Sequence, residues 1–315
     1  MSLHAAQPQA WPFLTAAPPI PGRFKARNED FLVDELPAYA PSGEGEHWLV
    51  RIRKQGLSTH EAVRRIARAL GVSPPQIGVA GLKDAQGVTT QWISLQGLER
   101  TRVEQLRERG IEVLEVAAHK NKLRIGHLRG NRFAIKLRDV PSDADAAARA
   151  VFEELAQRGV PNYFGEQRFG ARGDTWRIGR ALLMGDHGEA LAWLCGRPGP
   201  HDHGGVRRAR ELYDAGDYER AAQAWPGGFR VCIRVCRALV KSHGDTRRAL
   251  YAVERDLLRF YTSSYQSWLF NALLAQRLPH FDRIELGDLA WLHRNGAVFL
   301  VKDLDVDAPR AERLE

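Results

Sequence analysis

The chain has 315 residues, of which 44% are hydrophobic and 27% charged, the balance of an ordinary soluble globular protein with room for two domains. No run of about 18 apolar residues occurs, which excludes a membrane-spanning helix, and three cysteines exclude a secreted disulfide framework and point to a reducing cytoplasm. A formal charge of +8 and a pI of about 9.6 fit a polyanionic partner.

Residues 1–22 carry no basic head and contain Pro8, Pro12, Pro18, Pro19 and Pro21, so they read as a flexible tail and not as a signal peptide. Alternation from Arg23 to Leu36, with Phe24, Phe31 and Val33, predicts one or two strands. His47 to Lys54 places Trp48, Val50 and Ile52 on one face and His47, Arg51 and Arg53 on the other, a half-buried strand. Ser58 to Leu70 is a helix. Ser58 and Glu61 form a capping box, Val63, Ile66, Ala67 and Leu70 supply the apolar stripe, and Gly71 is the stop. Ile77 to Ala80 and Val88 to Leu95 read as strands flanking a short loop. Glu99 to Arg109 reads as a charged helix. Ile111 to Val116 and Asn131 to Val140 are further strands, and a helix from Pro141-Ser142 runs through Val151, Phe152 and Leu155 to Gly159. Strands and helices mix here without strict βαβ alternation, which favours an α+β sheet domain.

Val160 to Gly170 opens a more helical half. Arg197 to Arg210 is expected to be a surface loop. Asp245 to Leu278 is a long helical region with an expected break near Thr262-Ser263-Ser264, and Asn295-Gly296 marks a hairpin between Asp288–Arg294 and Ala297–Lys302. Cys232 and Cys236 could share a helix face, and His201-Asp202-His203 is a loop cluster. Neither makes a known zinc pattern, so buried thiols and a solvated loop are the expectation. No P-loop and no G-x-G-x-x-G after a strand is present.

The most informative stretch is Gly81-Leu82-Lys83-Asp84-Ala85-Gln86-Gly87-Val88-Thr89-Thr90-Gln91, an acid on a loop between two strands. Catalytic groups are often held on a loop fixed by a rigid scaffold. On an extended chain Lys83 points away from Asp84. A second feature is the stretch from His119 to Arg138, which holds Lys120, Lys122, Arg124, Arg129, Arg132, Lys136 and Arg138 and no acid. A phosphate-binding stripe has this composition, and so does a strand pair with solvated basic faces.

Gly81, Lys83, Asp84, Thr89 and Gln91 resemble the G-x-K-D-x-x-A-x-T-x-Q signature of the TruD family of pseudouridine synthases. Gly87 stands where the family has Ala, a small-for-small change expected to be neutral. The resemblance extends in family order. Phe24-Lys25-Ala26 to Asp30-Phe31 is similar to K-A-x-x-x-D-F, and Asn121–Gly126 and Gly130–Phe133 to K-L-R-x-G and G-N-x-F. Asn162–Gly170 is similar to N-Y-F-G-x-Q-R-F-G, and Ser263–Asn271 to a later helix.

The resemblance implies a pseudouridine-synthase catalytic domain with a mixed, mainly antiparallel sheet over 23–159, interrupted by an inserted α/β TRUD domain over 160–315. It implies isomerisation of a uridine in tRNA, position 13 in bacterial relatives, with no metal or organic cofactor and no protein partner, by a monomer when full length. Asp84 is then the catalytic carboxylate. Whether it attacks sugar or base, or abstracts a sugar proton, stays open. Lys25 is its cationic partner, since a nearby cation favours the ionised carboxylate. Phe31, Asn131 and Phe133 match positions near the flipped base, and Lys120, Lys122, Arg124, Arg129 and Arg132 would hold phosphates. The family's C-terminal L-P-x-G-x-x-A-T-like run is not found before Glu315, so the segment carrying it is expected to be missing and the first 160 residues poorly soluble or partly folded. Two alternatives stand beside the enzyme: an inactive fragment or RNA-binding tRNA chaperone on the same scaffold, and a glycoside hydrolase, for which no second acid is identifiable.

Overall fold

The computed structural model describes residues 11–292 and 295–312. The chain divides into two compact units, one covering 17–150 and the other the described residues on either side of it.

The first unit is built on a six-stranded sheet, from β1 (Phe31–Pro37), β2 (His47–Gln55), β3 (Gly78–Val79), β4 (Val88–Gln96), β5 (Ile111–His119) and β6 (Leu128–Ile135). The order is β5-β2-β4-β1-β6, with β3 paired to β4 off that path. Only β1 and β4 pair in parallel; every other pairing is antiparallel. The sheet is thus mixed and mainly antiparallel, as expected.

Helix α1 (Thr59–Leu70) covers one face. Its stripe of Ala62, Ile66, Ala67 and Leu70 packs with Val50, Ile52, Ile93 and Leu95 from the centre of the sheet, burial worth about 1.5–3 kcal/mol for each large side chain. Ser58 caps the helix by accepting from the Glu61 amide at 3.2 Å, and Gly71 ends it in the left-handed region at φ 65°. Glu61 turns to Arg64 and Arg65 instead of back to Ser58, so only half of the expected capping box is visible. The expected helix over 99–109 shrinks to α2 (Arg100–Glu104). Val103 and Leu106 are buried on its inner side, and the chain turns at Gln105 before Gly110. The expected helix from Pro141-Ser142 is present as α3 (Ala144–Arg158), on which no residue is buried and Phe152 is exposed. The boundary between the compact units falls inside this helix.

The second unit is mostly helical. Its core gathers α4 (Thr175–Leu183), α5 (His187–Cys195), α6 (Gly204–Asp214), α7 (Tyr218–Ala224), α8 (Arg230–Lys241), α9 (Thr246–Leu250) and α10 (Arg255–Arg277). Cys195, Cys232 and Cys236 are buried free thiols there, and burial pushes the Cys195 thiol up. Expectations fail at two places. The 197–210 stretch is not all loop: α6 begins at Gly204, and Asp202 is buried between Arg172 and Arg210. Helix α10 runs unbroken through Thr262-Ser263-Ser264, and the break lies before it, between Leu250 and Arg255. Ser264 and Ser267 are buried in that helix, with hydroxyls bonded to the Arg168 and Ser263 carbonyls, so the polar run needs no break.

The expected hairpin is present as β7 (Leu289–Trp291) paired with β8 (Val298–Leu300), followed by α11 (Leu304–Glu312); His293 and Arg294, at the end of its expected first strand, lie outside the described residues. Of the expected tail, residues 1–10 lie outside the description. Trp11 stacks on Tyr163 at 5.9 Å and meets Trp268 edge-on at 6.3 Å. No described helix is long and apolar enough to cross a membrane.

Candidate active site

The loop between β3 and β4 is held by buried side chains of the sheet and of α1. Lys83 is fully turned in. Its Nζ meets the buried Glu35 carboxylate of β1 at 2.5 Å, and its backbone N–H donates to Thr59 Oγ1 at 2.8 Å. The Thr59 hydroxyl in turn donates to Gln91 Oε1 at 2.9 Å, and the second Glu35 oxygen accepts from the Trp92 amide at 2.9 Å. A buried ion pair repays its desolvation only with such extra hydrogen bonds. Signature residues Lys83 and Gln91 therefore build the loop's footing.

Asp84 points the other way, with its side chain half exposed. Lys25 Nζ donates to its Oδ1 at 3.3 Å. The backbone of Lys25 is left-handed at φ 53°, a conformation that costs a non-glycine residue energy and that the surroundings must impose. Two contacts do so. Gln86 donates through Nε2 to the Lys25 carbonyl at 2.8 Å, and the ammonium lies 3.8 Å over the ring centre of Phe31. A partly exposed ion pair of this kind adds little to stability.

The aromatic groups form a run along the same sheet face. Phe31 is buried beneath Lys25, Phe24 meets it edge-on at 5.6 Å, and Phe133 meets it at 5.9 Å. Phe133 is 54% exposed, far from the core position that a strand phenylalanine usually takes. It sits on the edge strand β6, in register with Val33, and Asn131 stands two residues on, opposite Glu35. The two faces of β6 alternate, so Arg132, opposite Asp34, is turned away from Asn131 and Phe133.

The basic stripe is less uniform than its composition. Lys120 pairs with Glu44 at 2.6 Å, Lys122 donates to the Pro75 carbonyl at 2.5 Å, and Arg138 grips the buried Asp30 with two hydrogen bonds of 2.7 Å. Arg138 holds the Asp30 carboxyl below its ordinary range. Arg124, Arg129 and Arg132 are exposed.

Two groups of the site escaped the sequence reading. Phe24 is one. Lys54 is the other: it is buried, its Nζ donates to the Asp84 carbonyl at 2.7 Å and the Leu57 carbonyl at 2.6 Å, and desolvation lowers its pKa to about 8 against the raising effect of Asp84. The signal was available. Lys54 continues the Trp48, Val50, Ile52 parity, so it falls on the core face of its strand. No cluster of His, Cys, Asp or Glu among the described residues could hold a metal ion.

Comparison with known proteins decides what scaffold this is. Residues 10–314 match the profile of tRNA pseudouridine synthase D (TruD). The tRNA pseudouridine synthase D of Geobacter sp. strain M21 is 45% identical over 304 residues, covering 96% of this chain and 76% of that protein. That of Geobacter sulfurreducens is also 45% identical, with 74% of its length covered. The chain belongs to the TruD family of tRNA pseudouridine synthases. A crystal structure of a Methanosarcina mazei protein assigned as TruD superposes with a TM-score of 0.83 at 27% identity, covering 94% of this chain and 71% of that one. The chain thus spans about three quarters of the length of the TruD relatives it matches. The family is one of pseudouridine-forming isomerases, and the α+β sheet of the first unit is its fold.

Proposed function

We propose that this TruD-family chain isomerises a uridine of tRNA, position 13 by resemblance, and that Asp84 is its catalytic carboxylate. The observation that carries the reading is the Lys25–Asp84 pair, 3.3 Å apart and open to solvent, beside the exposed Phe133 ring. Pseudouridine formation breaks the bond from the sugar C1′ to N1 of the base and forms a bond from C1′ to C5. The C5 proton leaves, and N1 gains one. An ionised carboxylate beside the sugar serves each route open to the reaction: attack on the sugar, attack on the base, or removal of a sugar proton. Lys25 places an opposite charge 3.3 Å from that carboxylate, where it can stabilise charge that develops during the reaction.

A uridine in folded RNA must first leave its stack. Phe133 offers a ring face to the extruded base, Asn131 offers both donor and acceptor to its edge, and Phe31 supports Lys25 from below. Arg124 and Arg129 are the free cations best placed to take backbone phosphates. Lys120 and Lys122 would first have to give up local partners. The scheme needs no cofactor.

The test is to incubate the chain with unmodified tRNA transcript and map pseudouridine by carbodiimide-dependent primer arrest. Conversion at a single uridine, lost in Asp84→Asn while tRNA binding survives, is the expected result. Undiminished conversion by Asp84→Asn overturns the assignment. Binding without conversion by the parent chain favours the tRNA-chaperone reading instead.

A further inference from the structure

We propose that Lys54 is a positioning residue for this reaction, tying the Asp84 backbone to the start of α1 so that the carboxylate stays turned to Lys25. The inference rests on the reading of Asp84 as the catalytic group. Its basis is geometric. Lys54 is the last inward-facing residue of β2, paired in register with Thr89, and only 1% of its surface is exposed. Both of its hydrogen bonds go to backbone carbonyls, Leu57 at 2.6 Å and Asp84 at 2.7 Å, on two different loops. One ammonium thus clamps the β2–α1 connection to the catalytic loop. Thr59, the first residue of α1, accepts from the Lys83 N–H. The Lys83 N–H and the Asp84 carbonyl, which bracket the peptide between these two residues, are therefore both held, one from the start of α1 and the other from the end of β2.

The location is an expensive one for a lysine. Its strand neighbours on the same face are Val50 and Ile52, fully buried in the core, and an apolar side chain there would avoid the desolvation that pulls the amine down to about 8. Removing Lys54 leaves two carbonyls without a donor, and the Asp84 peptide is then free to rotate. Stability alone does not call for such an arrangement, whereas aiming a reacting oxygen does. Displacement of a reacting group by about 1 Å can cost on the order of 100-fold in rate. The amine needs only two donors, so it holds both carbonyls whether or not it is protonated.

The experiment compares Lys54→Met with the parent on a tRNA substrate, with Asp84→Asn in parallel. Methionine keeps the stem and fills the core site. The expected result is a folded protein whose kcat falls about 10- to 100-fold while KM for tRNA stays within about twofold. A purely structural lysine would move the unfolding midpoint and leave kcat of the folded fraction alone. If Lys54→Met does not fold, Lys54→Gln replaces it: its amide keeps two N–H donors, but on a stem one atom too short to reach both carbonyls, and the same split is expected. A parental kcat, or a loss expressed in KM, overturns the role. Should Asp84→Asn also retain turnover, the assignment of Asp84 falls. If Asp84→Asn is dead and Lys54→Met runs at the parental rate, the positioning role alone falls.

Discussion

Gln86 donates through Nε2 to the carbonyl of Lys25 at 2.8 Å, while Lys25 donates through Nζ to Asp84 Oδ1 at 3.3 Å. The two segments are joined twice, once by a side chain from each. Each bond fixes what the other needs: the first holds Lys25 in its left-handed conformation, and the second uses the direction in which that conformation sends the ammonium.

Separating the two bonds gives the first prediction. Lys25→Met should lower kcat by about 100- to 1,000-fold, the range for losing one preorganised hydrogen-bond donor at a reacting centre, with tRNA affinity nearly unchanged. Gln86→Ala keeps the cation but frees its backbone, and should cost less, about tenfold. Rapid-quench measurement of pseudouridine formation at saturating enzyme ranks them. A larger loss for Gln86→Ala than for Lys25→Met would contradict the division of roles.

Gly87 was expected to be interchangeable with alanine. The structure says otherwise: a Cβ there would lie 2.8 Å from the Phe31 carbonyl oxygen and 3.0 Å from Phe31 Cδ1. Neither atom can yield without moving β1 or the ring beneath Lys25. Gly87→Ala should therefore lose about 1–3 kcal/mol, read as a lower urea midpoint. An unshifted midpoint would show that the loop relaxes freely.

Lys54 sets a pH dependence. Its folded-state pKa of about 8 lies below its ordinary value of 10.5, so between these values the unfolded chain binds the proton and the folded chain does not. The unfolding free energy contributed by this site therefore rises with pH across that window and is lowest below it. Parent and Lys54→Met should differ accordingly: from about pH 7 to about pH 10 the parent gains stability relative to the variant. Parallel curves in urea at both pH values would show that the amine is not desolvated.

Phosphate contacts should follow the cations without local partners. Removing Arg124 and Arg129 together should flatten the log–log salt dependence of tRNA binding by about 0.7 to 0.9 per lost contact. Removing Lys120 and Lys122, which are paired with Glu44 and the Pro75 carbonyl, should flatten it less. Fluorescence anisotropy across a potassium chloride series distinguishes the pairs, and equal slopes would discard the ranking.

Much of the first unit was legible because its strands alternate cleanly and its principal helix carries both end signals. Ser58 and Gly71 bracket α1 as read, and the parity of Trp48, Val50 and Ile52 gave the inner face of β2. Lys54 obeyed that parity and was passed over because lysine is so seldom buried. The 99–109 stretch was over-read as helix, since good helix formers say nothing about the turn that buries Leu106. The Lys25–Asp84 contact spans 59 positions, and no local pattern announces such a pair. The helical unit was harder: the continuity of α10 through Thr262-Ser263-Ser264 depends on how Ser264 and Ser267 are packed, which composition does not record.

The placement of β1 between β4 and β6 has a consequence for how the protein is made. The strand that bears Phe31 and Glu35 leaves the ribosome before either neighbour exists. Its partners start at Val88 and Leu128, so both of its edges wait for a long stretch of translation. Pairings this distant in sequence close slowly. The Asp84 loop, footed on Glu35 of that strand, can take its final shape only once β1 has been captured, so assembly of the site should be among the last events in the folding of its unit. A nascent chain released with β1 still unpaired would display two open edges, a natural target for a holding chaperone.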